Sequence, residues 1–329
     1  MKMFVDVTIP DVLTSFFTQE VKEKLAKTGE VVYNTGESPL SGKELANALK
    51  GVDVLITGWN HPTITKDDLG DVKLIVHTGG SVGGIIDLSV YDTDVRVLSG
   101  NRYYAESVAE GTLAYMLMAL RKMGEYSSAL KNNGEWLQPR NEGLLDKTIG
   151  IVSLGQISRQ LIPMLKVFRT KIKVYSTTPD QEEAKALGFE YADLDEIFST
   201  CDIVTVHTAK CPETDNMIND RHFKLLKDGA LFINTSRGSV IDENALIENL
   251  KENRFTAVLD VYQTEPLPSS SELRNLENVI LFPHHGGPTF DRRKYITLLL
   301  IDDIVRFFNG QDTENTIPRE VAEKMTVIK

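Results

Sequence analysis

Three side chains in the second half of the chain are of types that handle protons and carboxylates, and each follows an apolar run. Arg237 lies in GALFINTSRGSVIDENAL (229–246), Glu265 follows Asp260 in TAVLDVYQTEPLP (256–268), and His284 lies in NVILFPHHGGPT (278–289). The runs have strand composition, so each residue sits just past the carboxyl end of a strand. In a parallel sheet that end faces the ligand crevice. Arginine's planar fork grips a carboxylate through two hydrogen bonds, and its charge polarises a carbonyl. Histidine titrates near neutrality and delivers a proton. A carboxylate beside it stabilises the imidazolium and fixes the ring. Together these groups suit the reduction of a 2-oxo acid, whose carboxylate must be held and whose carbonyl must receive a hydride and a proton.

A hydride carrier needs its own site, and KTIGIVSLGQISRQLI (147–162) has the strand, tight loop and helix start of a dinucleotide-binding turn. The three positions of G-x-G-x-x-G are Ser153, Gly155 and Ser158. The middle glycine lets the backbone approach a pyrophosphate. Serine at 158 is small enough to keep helix and strand close. Serine at 153 must tolerate the turn, at a cost in strain unless its φ is negative. The next strand, KIKVYSTTPD (171–180), puts Ser176 where an acid normally binds the ribose hydroxyls, followed by Thr177 and Thr178. No carboxylate stands there to repel a 2′-phosphate, and no arginine follows to clamp one. NAD and NADP both stay open.

These residues need strands and helices in alternation. Short apolar runs at 3–7, 31–34, 52–58, 74–80 and 95–100 are punctuated by Gly, Asn and Asp, which fits βα units and a mostly parallel sheet. Residues 105–121 read as one long helix, with Ala109, Leu113, Met116, Leu117 and Leu120 at helical spacing. The polar segment 123–147, with Trp136 inside, reads as an excursion between domains. A second series begins at Thr148, with strands at 148–153, 171–176, 202–206, 230–234, 256–260 and 279–281. Helices include 157–168, which Pro163 should kink, and 243–252. After 288 a last long helix runs to near Gly310, with Ile296, Leu300, Ile304 and Phe308 on one face.

A length of 329 residues suggests two domains. The net charge of -11 excludes a general nucleic-acid binder and a polybasic membrane-surface protein. An anionic ligand must therefore be captured locally. Residues 51–100 carry 3 bases against 7 acids, whereas 159–173 carry five bases and no acid. That basic run reads as a solvated face, with attraction for phosphate as the alternative. Two cysteines, Cys201 and Cys211, make neither a disulfide framework nor a four-thiolate metal site. His284 and His285 lack the further ligands of a metal site. The N-terminus lacks a signal-peptide core, and no apolar stretch is long enough to span a bilayer, so the expected location is the cytoplasm.

The chain resembles the D-isomer-specific 2-hydroxyacid dehydrogenase family over nearly its whole length. NTSRG with Arg237, LDVYQTEP with Asp260 and Glu265, and PHHGG with His284 carry the resemblance. SVAEGTLAYMLMAL (107–120), GEW (134–136) and IVTVHTAKCPET (203–214) support it. It implies that Arg237 binds substrate, that His284 is the general acid/base and that Glu265 is its partner. It implies that Gly155, Gln156 and Ile157 hold the pyrophosphate of NAD or NADP. Ser176, Thr177, His207, Thr208, Ala209, Thr214, Thr235, Ser236 and Gly286 would line the cofactor site, with Asp260 on the nicotinamide carboxamide. In HTGGSV (77–82), backbone amides of Gly79, Gly80 and Ser81 would receive the carboxylate of a small 2-oxo or D-2-hydroxy acid.

The implied fold is α/β with two doubly wound parallel-sheet domains and a cleft between them. A Rossmann-type cofactor domain (102–288) is inserted in a flavodoxin-like catalytic domain (1–101 and 289–329). The family is typically dimeric through the cofactor domain, where the 123–147 arm would serve. The chain departs from the family pattern at Ser153, Ser158, Ser176, Ala209, Cys211 and His285. Trp59 is open between substrate contact and packing. The eroded glycine loop motivates an alternative function, a dinucleotide sensor or corepressor on the same fold.

Overall fold

The computed structural model describes residues 1–325, which divide into two compact units, 1–104 with 288–325 and 105–287. The first unit holds a five-stranded sheet: β1 (Lys2–Asp6), β2 (Glu30–Tyr33), β3 (Val54–Thr57), β4 (Leu74–His77) and β5 (Arg96–Ser99). Their order is β2-β1-β3-β4-β5, and every pairing is parallel. VLIT and LIVH are buried at all four positions, as strands covered on both faces must be, while the edge strand EVVY is partly exposed. Helices Pro10–Phe16, Gln19–Thr28 and Arg293–Phe308 pack over one face through Phe16, Val21, Leu25, Ile296, Leu300 and Ile304.

The second unit holds β6 (Thr148–Val152), β7 (Lys171–Tyr175), β8 (Glu190–Tyr191), β9 (Ile203–Val206), β10 (Leu231–Asn234), β11 (Thr256–Leu259) and β12 (Val279–Leu281). The order is β12-β11-β10-β9-β6-β7-β8, again all parallel. Read from β8 inward this is the 3-2-1-4-5-6 winding of a Rossmann sheet, extended by one strand. Its topological switch point lies between β6 and β9. The carboxyl ends of β6, β9, β10, β11 and β12 therefore lie along one edge of the sheet.

Several elements differ from expectation. The long helix begins at Asn101, four residues early, and ends at Leu120. The last helix begins at Arg293, past Pro288, whose ring and missing N–H exclude it from a helix interior. Within 123–147 the chain forms a helix, Met123–Ser128, that runs into a π-helical turn, Ala129–Asn133. The two-residue β8 is too short to leave a hydrophobic pattern. Pro163 sits on the exposed face of helix Gln156–Lys166, which continues past it. The basic run is mostly paired with distant acids: Arg159 with Glu183, Arg169 with Asp146 and Lys173 with Glu196.

Candidate active site

At the switch point, Ser153 has φ of +84°, the left-handed conformation that glycine adopts freely and serine does not. Two hydrogen bonds hold it there. Its amide donates to the Tyr175 carbonyl at 2.9 Å, and its carbonyl accepts from the buried Ser158 Oγ at 2.6 Å. The two serines that replace glycines thus form one staple across the turn. Gly155 precedes helix Gln156–Lys166, whose first turn has no side-chain cap, and a Cβ at 155 would meet nothing within 4 Å. Open first-turn amides at a helix N-terminus fit a pyrophosphate. Past β7, Ser176 Oγ accepts from the Thr178 amide at 3.2 Å, and Thr177 is exposed.

The end of β9 is tied into the sheet. His207 is buried, with Nε2 3.1 Å from Thr205 Oγ1 and Nδ1 3.5 Å from Thr235 Oγ1. Burial pushes the imidazole down to about 3, so it is neutral. Thr235 Oγ1 also lies 3.1 Å from Thr112 Oγ1, and Thr208 Oγ1 donates to the Val152 carbonyl at 3.4 Å. Thr214 Oγ1 closes its own loop, donating to the Ala209 carbonyl at 2.7 Å and accepting from the Cys211 amide at 2.9 Å. Cys201 is buried, and burial raises its thiol to about 11, so it is inert.

The end of β10 is shaped by Asn234. Its Oδ1 accepts from the Ser236 amide (3.0 Å) and hydroxyl (2.7 Å), and its Nδ2 donates to the Arg237 carbonyl at 3.1 Å. Arg237 Nη1 donates to the Ser236 carbonyl at 2.6 Å. The next position must be glycine, because a Cβ at 238 would overlap the Tyr262 carbonyl group. This close approach sets the arginine turn directly against the loop after β11. In that loop the Tyr262 amide donates to Glu265 Oε1 at 3.0 Å, and Glu265 Oε2 lies 2.8 Å from His284 Nδ1. Burial pushes the Glu265 carboxyl up. The His284 hydrogen bond, the Tyr262 amide and the charges of His284 and Arg237 outweigh it, and the carboxyl sits below its ordinary value. Burial also pulls the Arg237 guanidinium down, against the attraction of the Glu265 charge. Arg237, Glu265 and His284 therefore form one charged set. An ionised Glu265 accepts from Nδ1–H, which leaves Nε2 as the nitrogen that exchanges a proton.

Asp260, 2% exposed, holds three donors: the His285 amide (2.8 Å) and Tyr115 Oη (3.1 Å) on Oδ1, and the Gly286 amide (2.8 Å) on Oδ2. The sequence gives no sign of the tyrosine contact, since Tyr115 lies in a helix 145 residues before Asp260.

In the other unit, Gly79, Gly80 and Ser81 follow β4. The Gly100 amide donates to the Gly79 carbonyl at 3.0 Å, and Ser99 Oγ donates to the Gly80 carbonyl at 3.0 Å. His77 lies beneath them, buried, with Nδ1 3.0 Å from Thr57 Oγ1. A Cβ at 79 would overlap His77 Nε2, so the loop rests on the imidazole. A buried Asp6–His61 pair at 2.9 Å closes the same sheet edge. Neither His61 nor His77 was singled out by its sequence context. Trp59 packs edge-on between Phe16 (5.4 Å) and Tyr104 (6.4 Å), with the Arg293 guanidinium 4.9 Å over its ring. No group of three or more His, Cys, Asp or Glu among the described residues could hold a metal ion.

Residues 113–286 match the family model described as D-isomer specific 2-hydroxyacid dehydrogenase, NAD binding domain. The chain is 32% identical to a D-3-phosphoglycerate dehydrogenase of Methanocaldococcus jannaschii over 93% of its own length. It spans only 59% of that relative. It is 34% identical to a glyoxylate reductase of Thermococcus litoralis, over 66% of this chain and 68% of that protein. Among solved structures, an acyclic imino acid reductase in complex with NADPH and D-Arg superposes with a TM-score of 0.79 at 24% identity, covering 96% of this chain and 100% of that one.

Proposed function

The chain belongs to the D-isomer specific 2-hydroxyacid dehydrogenase family, and from that premise we propose that it reduces a small 2-oxo acid to the D-2-hydroxy acid, with NADH or NADPH as cofactor. The observation that carries this reading is the Glu265–His284 hydrogen bond at 2.8 Å beside the Arg237 charge. Arg237 grips the substrate carboxylate and polarises the carbonyl. His284 gives the proton from Nε2 as the oxyanion forms, while Glu265 stabilises the imidazolium. The nicotinamide, when bound, supplies the hydride. Amides of Gly155, Gln156 and Ile157 hold the pyrophosphate, and the Ser176 and Thr177 hydroxyls take the ribose end. His207, Thr208, Ala209, Thr214, Thr235, Ser236 and Gly286 line the remainder, with Asp260 toward the carboxamide. Gly79, Gly80 and Ser81 are assigned to the substrate carboxylate.

The acidic balance of residues 51–100 favours an unphosphorylated substrate. A dehydrogenase fold kept only as a dinucleotide sensor would not need the Glu265–His284 pair. The exposed apolar side chains of the 123–147 arm, among them Met123, Leu130 and Trp136 (83% exposed), support a homodimer built through that arm. No helix among the described residues is long and apolar enough to cross a membrane. We assign the protein to the cytoplasm, and the net charge of -11 argues against a nucleic-acid partner. The test is a panel of 2-oxo acids with NADH and NADPH, followed at the nicotinamide absorbance band. Turnover of an unphosphorylated 2-oxo acid supports the reading. Tight cofactor binding without turnover on any member would favour the sensor.

A further inference from the structure

We propose that Tyr115 is a positioning residue for His284, acting through Asp260; the proposal rests on the role given to His284 above. His284 has φ of +55°, a left-handed backbone that a non-glycine residue keeps only when its neighbours enforce it. The enforcement comes from the two residues that follow. The His285 and Gly286 amides each donate at 2.8 Å, one to each oxygen of the Asp260 carboxylate. That fork fixes the peptide planes past His284, while Glu265 fixes its ring. The fork is only as rigid as the carboxylate. Asp260 is anchored through its own amide, which donates to the Asn234 carbonyl at 3.0 Å, and its side chain is held by a third donor, Tyr115 Oη at 3.1 Å.

Tyr115 grips the loop twice. Its ring stacks on Phe282, two residues before His284, with centroids 4.2 Å apart and planes 15° apart. Its hydroxyl reaches Asp260 across 145 residues of sequence. Burial, and then the Asp260 charge, push the phenol well above its ordinary value, so it stays a donor throughout the working range. A tyrosine serving only as core volume would need no such partner, because a backbone carbonyl satisfies a buried phenol equally well.

Tyr115→Phe keeps the stacked ring and removes only the donor. The expected result is a fall in kcat of about tenfold, with KM for the 2-oxo acid and Kd for the cofactor each within about twofold of the parent. In an Asp260→Ala background the same change should cost nothing further, because the tyrosine then has no side-chain acceptor to hold. In the free protein, hydrogen exchange at the His285 and Gly286 amides should accelerate in Tyr115→Phe and at few other sites. An unchanged kcat, a matching rise in KM, or a loss that multiplies with that of Asp260→Ala would each overturn the proposal. Unaltered exchange at those two amides would overturn it as well. The exchange measurement needs no turnover, so it decides the clamp even if His284 proves dispensable for catalysis.

Discussion

His284 is useful because only one of its nitrogens is free to trade protons. Nδ1 is committed to Glu265, and Glu265 is held ionised by that hydrogen bond, by the Tyr262 amide and by the nearby Arg237. Replacing Glu265 by Gln keeps the shape and removes the charge that stabilises the imidazolium. Steady-state kinetics should show kcat falling about 100-fold with cofactor binding unchanged; a loss below about threefold would separate Glu265 from the chemistry. Arg237→Lys keeps the charge but not the planar fork, so KM for the 2-oxo acid should rise at least about tenfold. At this scale the charged trio was legible, because each member follows a strand that its composition announces. Tyr115 and His77 were not. Their value lies in contacts with Asp260 and with Thr57 and Gly79, which span 145 and 20 residues or depend on a backbone approach that no spacing encodes.

Among the elements, the turn after β6 shows how a departure from a motif is absorbed. Ser153 occupies a left-handed position, and the Ser158 hydroxyl supplies the hydrogen bond that holds it. Ser153→Gly should relieve the strain and raise stability by about 1 kcal/mol, read as a higher denaturant midpoint. Ser158→Ala should cost about 1 kcal/mol and weaken NADH or NADPH binding in calorimetric titration, because the Ser153 carbonyl loses its partner. Equal cofactor affinity in Ser158→Ala would mean that the staple does not shape the binding loop. The central strands, such as VLIT, LIVH, IVTV and LFIN, were readable as continuous apolar runs, since both faces of each are covered. Glu190–Tyr191 was not, at two residues, nor was helix Met123–Ser128, whose side chains are largely exposed and carry no apolar stripe.

For the whole molecule, the net charge of -11 coexists with local neutrality: the bases of 159–173 are largely spent on acids far off in sequence, which their clustering alone could not reveal. Both sheets also carry a buried neutral histidine near a carboxyl edge. Burial pushes His207 down to about 3; burial and the His61 charge push His77 down to about 3. The unfolded chain binds these protons near pH 6.5, whereas the folded chain refuses them until about pH 3. Their contribution to stability is therefore complete above about pH 6.5 and lost as the pH falls toward 3. The thermal midpoint should decline steadily from pH 6.5 to 4.5, and His207→Gln should flatten that decline; a midpoint constant over this interval would contradict the burial of both rings. The central claim, that His284 moves the proton in a nicotinamide-dependent reduction, is tested most directly by His284→Ala. Reduction of the best 2-oxo acid should fall at least about 1,000-fold while NADH or NADPH binds with parental affinity. Turnover at the parental rate would contradict the account.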